Sequence, residues 1–227
     1  MSARTRSRSA RAGRGPGRRS GRRPSRRSRR SGRRRWLVIG GTLLVGAVAG
    51  VALTQLDRFE EALREVTLPL KHEDIIRQQS RDKEVPAELI AAVIFRESRF
   101  RDQTSSAGAR GLMQITPATA EIIEDLSGGR TFRQEDLADP DINIRYGSFY
   151  LRHLLDKFDQ NEVAALAAYN AGETNVAGWG GAKLELEDIE FPETEQYVEE
   201  VLEKRDEYRR HYREELGLSP SVRPGLD

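Results

Sequence analysis

Between Trp36 and Leu56 the chain reads "WLVIGGTLLVGAVAGVALTQL", 21 residues without a charge and mostly apolar. About 20 such residues in a helix cross roughly 30 Å of hydrocarbon, so this run separates two parts of the chain that need not share a solvent. Residues 1–35 hold 16 arginines and neither a lysine nor an acidic side chain. Beyond the run, the other 22 of the 38 basic side chains face all 36 acidic ones, a formal −14. The overall charge of +2 therefore averages two unlike objects.

The arginine tail, built from Arg, Ser, Gly and Pro, has too little apolar surface to form a core and is expected to be disordered. By composition alone it would suit phosphate contacts with nucleic acid. Its place directly before an apolar run makes it instead a topology signal that also meets anionic headgroups, and a nucleic-acid partner is not expected. The same rule keeps the N-terminus in the cytoplasm and delivers everything after Leu56 to the other side, as a single-pass membrane protein with an extracytoplasmic domain. Ala47, Val48 and Ala49 also form an A-x-A cleavage pattern, and Arg33 and Arg34 before Trp36 and Leu37 hint at a twin-arginine signal. Because the run continues through Leu53 and the tail is long for a signal peptide, the expectation is an uncleaved anchor over residues 36–56.

The 171 residues that follow suffice for one compact domain. The chain has no cysteine, which excludes disulfides, a thiol nucleophile and thiolate metal ligands. His72, His153 and His211 are scattered without metal-ligand spacing, so neither a metal nor a cofactor is expected. Phe59, Leu63 and Val66 recur at helical spacing before Pro69, and residues 57–84 read as connecting helices. Pro86 marks a helix start, and the run Leu89–Phe95 is apolar on all sides, the mark of a central buried helix. Thr116 before Pro117 and Asp139 before Pro140 are N-cap pairs. Tyr146, Tyr150, Leu154 and Phe158 then form one apolar face, a short helix over Val163–Tyr169 stops at Gly172, and a last helix from Pro192 turns Tyr197, Val201 and Tyr208 inward. Strand patterning is confined to a weak alternation over Leu184–Ile189, so the fold class is mainly α, and residues 213–227 read as a loose tail.

Within that domain Leu89, Val93 and Glu97 fall four apart on one helix face, which aims a carboxylate along a buried stripe. Desolvation favours the neutral acid, the state a general acid needs near neutral pH. A salt bridge to Arg96, Arg99 or a distant cation would explain the same residue without chemistry. Downstream, Gly108 and Gly111 permit tight turns, Gln114 precedes a helix start, and Tyr169 and Asn170 close an alanine-rich helix just before Gly172. These pieces are far apart in sequence and suited to converge as the wall of a pocket around Glu97.

At these residues the chain resembles the soluble-lytic-transglycosylase catalytic domain, a lysozyme-like fold shared with goose-type lysozyme. The matching stretches are "ESRF" at Glu97–Phe100, "SSAGARGLMQITPATA" at 105–120, "DPDINIRYGSFYL" at 139–151, "AAYNAGETNV" at 167–176 and "ETEQYVEEVL" at 193–202. They stand in the family order within residues 85–212, and the ordered set is specific where each stretch alone is weak. The resemblance implies peptidoglycan glycan strands as substrate and Glu97 as the single catalytic residue. It would cleave the β-1,4 bond between N-acetylmuramic acid and N-acetylglucosamine with help from the sugar's acetamide, leaving a 1,6-anhydro end. Substrate assistance of this kind replaces the usual second carboxylate.

The resemblance further implies substrate contacts for Ser105, Met113, Gln114, Tyr169, Asn170, Glu193 and Tyr197. The loop from Glu97 to Gly108 is one residue shorter than the common pattern, which leaves Ser106 as a rival to Ser105. Without the family, Met113 and Tyr169 read as packing residues, Glu193 as a first-turn carboxylate placed by the helix dipole, and Trp179 as either a sugar platform or a lid on the core edge. A hydrolytic muramidase of the goose type and a glycan-binding scaffold without activity are the alternatives.

Overall fold

The computed structural model describes residues 61–128 and 133–218, together with Gln55, Arg58 and Phe59. The apolar run 36–56 (Gln55 apart), the arginine tail and residues 219–227 lie outside the described residues. Residues 61–67 are helical and end at a bend before Pro69. Seven α-helices follow among the described residues: α1 (Glu73–Lys83), α2 (Ala87–Ser98), α3 (Pro117–Ser127), α4 (Pro140–Lys157), α5 (Glu162–Ala171), α6 (Glu173–Trp179) and α7 (Pro192–His211). Short 3-10 turns at Gln134–Ala138, Gly181–Lys183 and Leu186–Asp188 join them. No β-strand occurs among the described residues, and only the isolated bridges Thr104–Arg110 and Arg110–Ile115 pair backbone across the loop after α2. None of the described helices is long and apolar enough to cross a membrane.

Helix starts fall where the side chains dictate. The Thr116 hydroxyl accepts the Thr119 amide at 3.1 Å, and Asp139 accepts from Asp141 and Ile142 at 2.8 and 3.2 Å. Each cap is followed by a proline whose missing N–H costs the first turn nothing. Pro86 stands one position earlier than expected, as the N-cap of α2 with extended backbone, and helical geometry begins at Ala87.

The α2 helix is the axis of the domain. Leu89 through Ile94 have no solvent exposure, with α7 packed along one side and α1 on another. Removing each such aliphatic side chain from water contributes about 1.5–3 kcal/mol, which outweighs the modest β-branched penalty of its valine and isoleucines. Trimming one methyl here should be felt but tolerated: Ile90→Val is expected to cost about 0.5–1.5 kcal/mol in a denaturant melt. The helix ends abruptly because Arg99 and Phe100 both take left-handed backbone, φ 51° and 59°, and the Arg99 amide closes on Phe95 carbonyl at 2.9 Å. That stop leaves Glu97 in the final turn.

Two expectations change. The Leu184–Ile189 alternation is not a strand: Leu184 and Ile189 are buried anchors at either end of a 3-10 turn, with no neighbouring strand to complete a ladder. Residues 213–218, read as the start of a loose tail, pack against α1. Leu216 is buried, Gly217 turns the chain at φ 66°, and Arg77 donates to the Glu215 carbonyl. One leucine and one glycine were enough to extend the fold past Tyr212.

Candidate active site

Glu97 and Tyr197 are a hundred residues apart and meet because α2 and α7 lie side by side. The Tyr197 hydroxyl donates to Glu97 Oε1 at 2.8 Å, from a ring that is itself buried. The ion pair considered for Glu97 does not form with its neighbour. Arg96 pairs through Nε with Glu200 Oε2 at 2.6 Å and lays its guanidinium 5.3 Å from the centre of the Tyr197 ring, while Arg99 sits 5.2 Å from that of Phe95. The cations beside Glu97 in sequence are thus held by a glutamate and two rings.

Burial pushes the Glu97 carboxyl up to about 7, and the Tyr197 hydrogen bond and Arg96 charge pull it down only in part. The group is therefore divided between acid and carboxylate near neutral pH. Burial also holds the Tyr197 and Tyr169 phenols well above their ordinary range, with the Glu97 charge as the next cause for both. These hydroxyls are neutral donors. Because Tyr197 favours the charged form of Glu97, Tyr197→Phe is expected to raise the Glu97 pKa further; carboxyl chemical shifts followed through a pH titration check this.

Tyr169, at the end of α5, donates to the Met113 carbonyl at 2.9 Å. That carbonyl belongs to a turn over Gly111–Gln114 whose shape is fixed from beneath. Asn143, fully buried on α4, accepts the Met113 amide at 2.7 Å and donates to the carbonyls of Arg110 and Leu137 at 2.9 and 3.0 Å. The turn lies so close that a Cβ on Gly111 would stand 2.2 Å from Asn143 Nδ2, and φ at this glycine is +76°. Gln114, itself at φ 46°, donates its amide to Gly111 and Gln103 carbonyls at 2.8 and 3.1 Å. Gln103 in turn donates to the Glu97 carbonyl at 3.1 Å, tying the turn to the end of α2.

The other expected site residues are placed as follows. Ser105 uses its oxygen to accept the Ala109 amide at 3.0 Å, which keeps its proton available, and Ser106 is exposed. Asn170 is exposed and its Oδ1 accepts from Thr194 at 2.8 Å, leaving its amide hydrogens to the groove. The Met113 side chain, expected to line a groove, is buried against Gly147, so this residue reaches the site through its carbonyl alone. Glu193 is exposed in the first turn of α7, where the helix dipole favours a carboxylate. Trp179 packs edge-on against Phe191, ring centres 4.8 Å apart, at the margin of the core.

Beside Tyr169 and Asn170 opens a groove of about 690 Å³, with Thr116, Thr119, Tyr150 and Glu173 among its walls. Glu173 is its acidic member, and it is engaged: Lys157 pairs with it, His153 Nε2 stands at 3.5 Å and the Tyr150 hydroxyl donates at 3.4 Å. Asp102, the acidic residue nearest Glu97 in sequence, is exposed. Among the described residues no cluster of acidic or histidine side chains has the geometry of a metal site. Sequence reasoning passed over Asn143, Gln103 and Thr194. The signal for Asn143 was present, since it shares the face of α4 that carries Gly147, Leu151 and Leu154.

The transglycosylase SLT domain profile matches residues 74–192, more than half of the chain. This chain belongs to the SLT domain family. Over 167 residues, 70% of its length, it is 34% identical to the soluble lytic murein transglycosylase of Escherichia coli, of which it spans 25%. It is also 41% identical over 96 residues, 39% of its length, to the membrane-bound lytic murein transglycosylase F of Yersinia enterocolitica, spanning 18% of that protein. The fold is similar to an inactive mutant of the lytic transglycosylase Slt from Pseudomonas aeruginosa, with TM-score 0.60 and 32% identity over 65% of this chain and 25% of that one. The 70 kDa soluble lytic transglycosylase of Escherichia coli gives TM-score 0.60 and 33% identity over 64% and 25%. The chain thus spans 18–25% of the length of these larger relatives, and its SLT domain has the mainly helical, lysozyme-like fold of the lytic transglycosylase structures. Tyr197, which bonds Glu97, lies beyond the profile's last matched residue, so α7 completes the site from outside the matched stretch.

Proposed function

We propose that this SLT domain is a peptidoglycan lytic transglycosylase, anchored by residues 36–56 with its catalytic part outside the cytoplasm. It cleaves the β-1,4 bond between N-acetylmuramic acid and N-acetylglucosamine. The observation that carries the proposal is Glu97: a carboxyl pushed to about 7 by burial and bonded to a neutral phenol, while Glu173, the carboxylate lining the groove beside Tyr169, is tied to Lys157. One titratable group suits a reaction in which the same residue gives and takes a proton.

In the first step protonated Glu97 donates to the glycosidic oxygen as the bond to the muramyl C1 breaks. The acetamide carbonyl oxygen of the same sugar bonds to C1 in place of a protein nucleophile. In the second, carboxylate Glu97 accepts the proton of the sugar's 6-hydroxyl as that oxygen bonds to C1 and the acetamide leaves. Glu97 is returned protonated, no water is consumed, and the product ends in 1,6-anhydro-N-acetylmuramic acid. Tyr197 orients the carboxyl, Asn170 and Tyr169 stand where the acetamide is held, Ser105 offers its hydroxyl proton, and Gln114 retains a carbonyl acceptor once its amide is spent on the turn.

Mass analysis of muropeptides released by the full chain tests activity, bond and product together. Anhydro ends are expected; reducing muramyl ends would assign a hydrolytic muramidase, and intact glycan a binding scaffold. The donating form of Glu97 is the acid, so kcat/KM is expected to fall as pH rises through about 7.

A further inference from the structure

The helical segment ahead of the domain plays no part in the chemistry, yet it is not a slack connection. Its end is fixed to α7: the Tyr212 hydroxyl donates to the Leu68 carbonyl at 2.7 Å and the Tyr208 hydroxyl to the Pro69 carbonyl at 2.6 Å, with Leu68 buried. One face of the segment is nonetheless apolar and open. Phe59, Leu63 and Val66 are 61%, 48% and 79% exposed, and their spacing of four and three places them on a single stripe. Exposed Glu61 and Glu65 fall away from the stripe, on the other side of the helix. Three aligned large apolar side chains left to water on a segment held by two hydrogen bonds require an occupant.

We infer that this stripe lies in the outer interface of the lipid bilayer, with Phe59, Leu63 and Val66 set among the upper acyl chains. The length of chain decides for lipid over another protein. Leu56 ends the uncharged run, and from there to Phe59 even a fully extended chain spans at most about 11 Å. The polar layer on each side of the hydrocarbon is about 5–8 Å thick, and interfacial helices bury their apolar face about 5–10 Å deep. An apolar face tethered so close to the hydrocarbon boundary meets lipid before anything else. The acidic face is turned away from the negative surface, the orientation that headgroup charge favours. The inference goes beyond the proposed reaction and rests on residues 36–56 being the anchor. Its consequence is that this helix, joined to the last helix of the domain through the Leu68 and Pro69 carbonyls, lies along the membrane.

The absence of cysteine makes the test direct. Single variants Phe59→Cys, Leu63→Cys, Val66→Cys, Glu61→Cys and Glu65→Cys of the full chain are labelled with an environment-sensitive dye. They are then reconstituted into vesicles of phosphatidylethanolamine and phosphatidylglycerol carrying a lipid-bound nitroxide at shallow depth. Dyes at 59, 63 and 66 are expected to shift to shorter wavelength and lose intensity to the nitroxide, while those at 61 and 65 do neither. Equal quenching at all five positions, quenching at none, or a chain that does not float with the vesicles would overturn the inference. So would a blue shift without nitroxide quenching that grows with the protein-to-lipid ratio, because the stripe would then be covered by a second copy. Muropeptide release by the same vesicles reads the catalytic proposal separately, since none of the five positions belongs to the site.

Discussion

Glu97→Gln is expected to lower turnover on peptidoglycan by about 10²–10⁴-fold, the usual contribution of a positioned proton donor, with little change in KM. The amide keeps the size and can still accept from Tyr197, but it has no acidic proton to give. The same variant should be more stable than the parent in alkaline solution. A carboxyl held at about 7 in the fold against 4.5 when free penalises the folded state once pH passes 4.5, and the penalty is complete above about 7. Glutamine removes it, so the melting temperature rises at pH 8 and is unchanged at pH 4, where the acid is protonated in both states. Loss of activity with a gain in stability separates a chemical role from a structural one. Turnover near the parent's rate would take Glu97 out of the reaction.

How far this site could be read from the sequence follows from the range of the interactions that build it. The buried α2, the proline-led starts of α3 and α4 and the placing of Glu97 on a buried stripe rest on contacts within a few residues, which periodicity and caps record. The partner of Glu97 is a different matter. Tyr197 has the spacing of an inward-facing aromatic and nothing local marks its hydroxyl, so only the order of family-like stretches named it. Arg96 could have been the partner on sequence grounds, and α7 decides otherwise by presenting Glu200 and the face of Tyr197 together. Met113 fails in the opposite way: its place in "GLMQ" suggested a groove-lining side chain, whereas Gly147 opposite leaves a socket that takes the thioether into the core. The packing of Leu216 was illegible because a single apolar residue in a polar stretch carries no period.

Asn143 is where that long-range construction is most exposed to test. One buried amide holds the turn that carries Tyr169's acceptor and Gln114, through three bonds of 2.7–3.0 Å. Asn143→Ala leaves the Met113 amide and the Leu137 carbonyl to the interior, while the Arg110 carbonyl keeps the Ile115 amide at 3.1 Å; at about 1–3 kcal/mol for each buried group left unmade the expected loss is about 2–5 kcal/mol, since partial relaxation recovers some of the sum. Asn143→Asp discriminates between packing and hydrogen bonding, because it has nearly the same shape. One oxygen can still accept from Met113, but the other now faces two carbonyls and can donate only when protonated. Protonation in the fold is thereby favoured over the unfolded chain, so the aspartate variant is expected to hold most of its stability near pH 4 and lose it as pH rises towards 7. A melting curve for Asn143→Asp that does not depend on pH would mean that the turn is held by the fit of Gly111 against α4, and that the amide's hydrogen bonds add little.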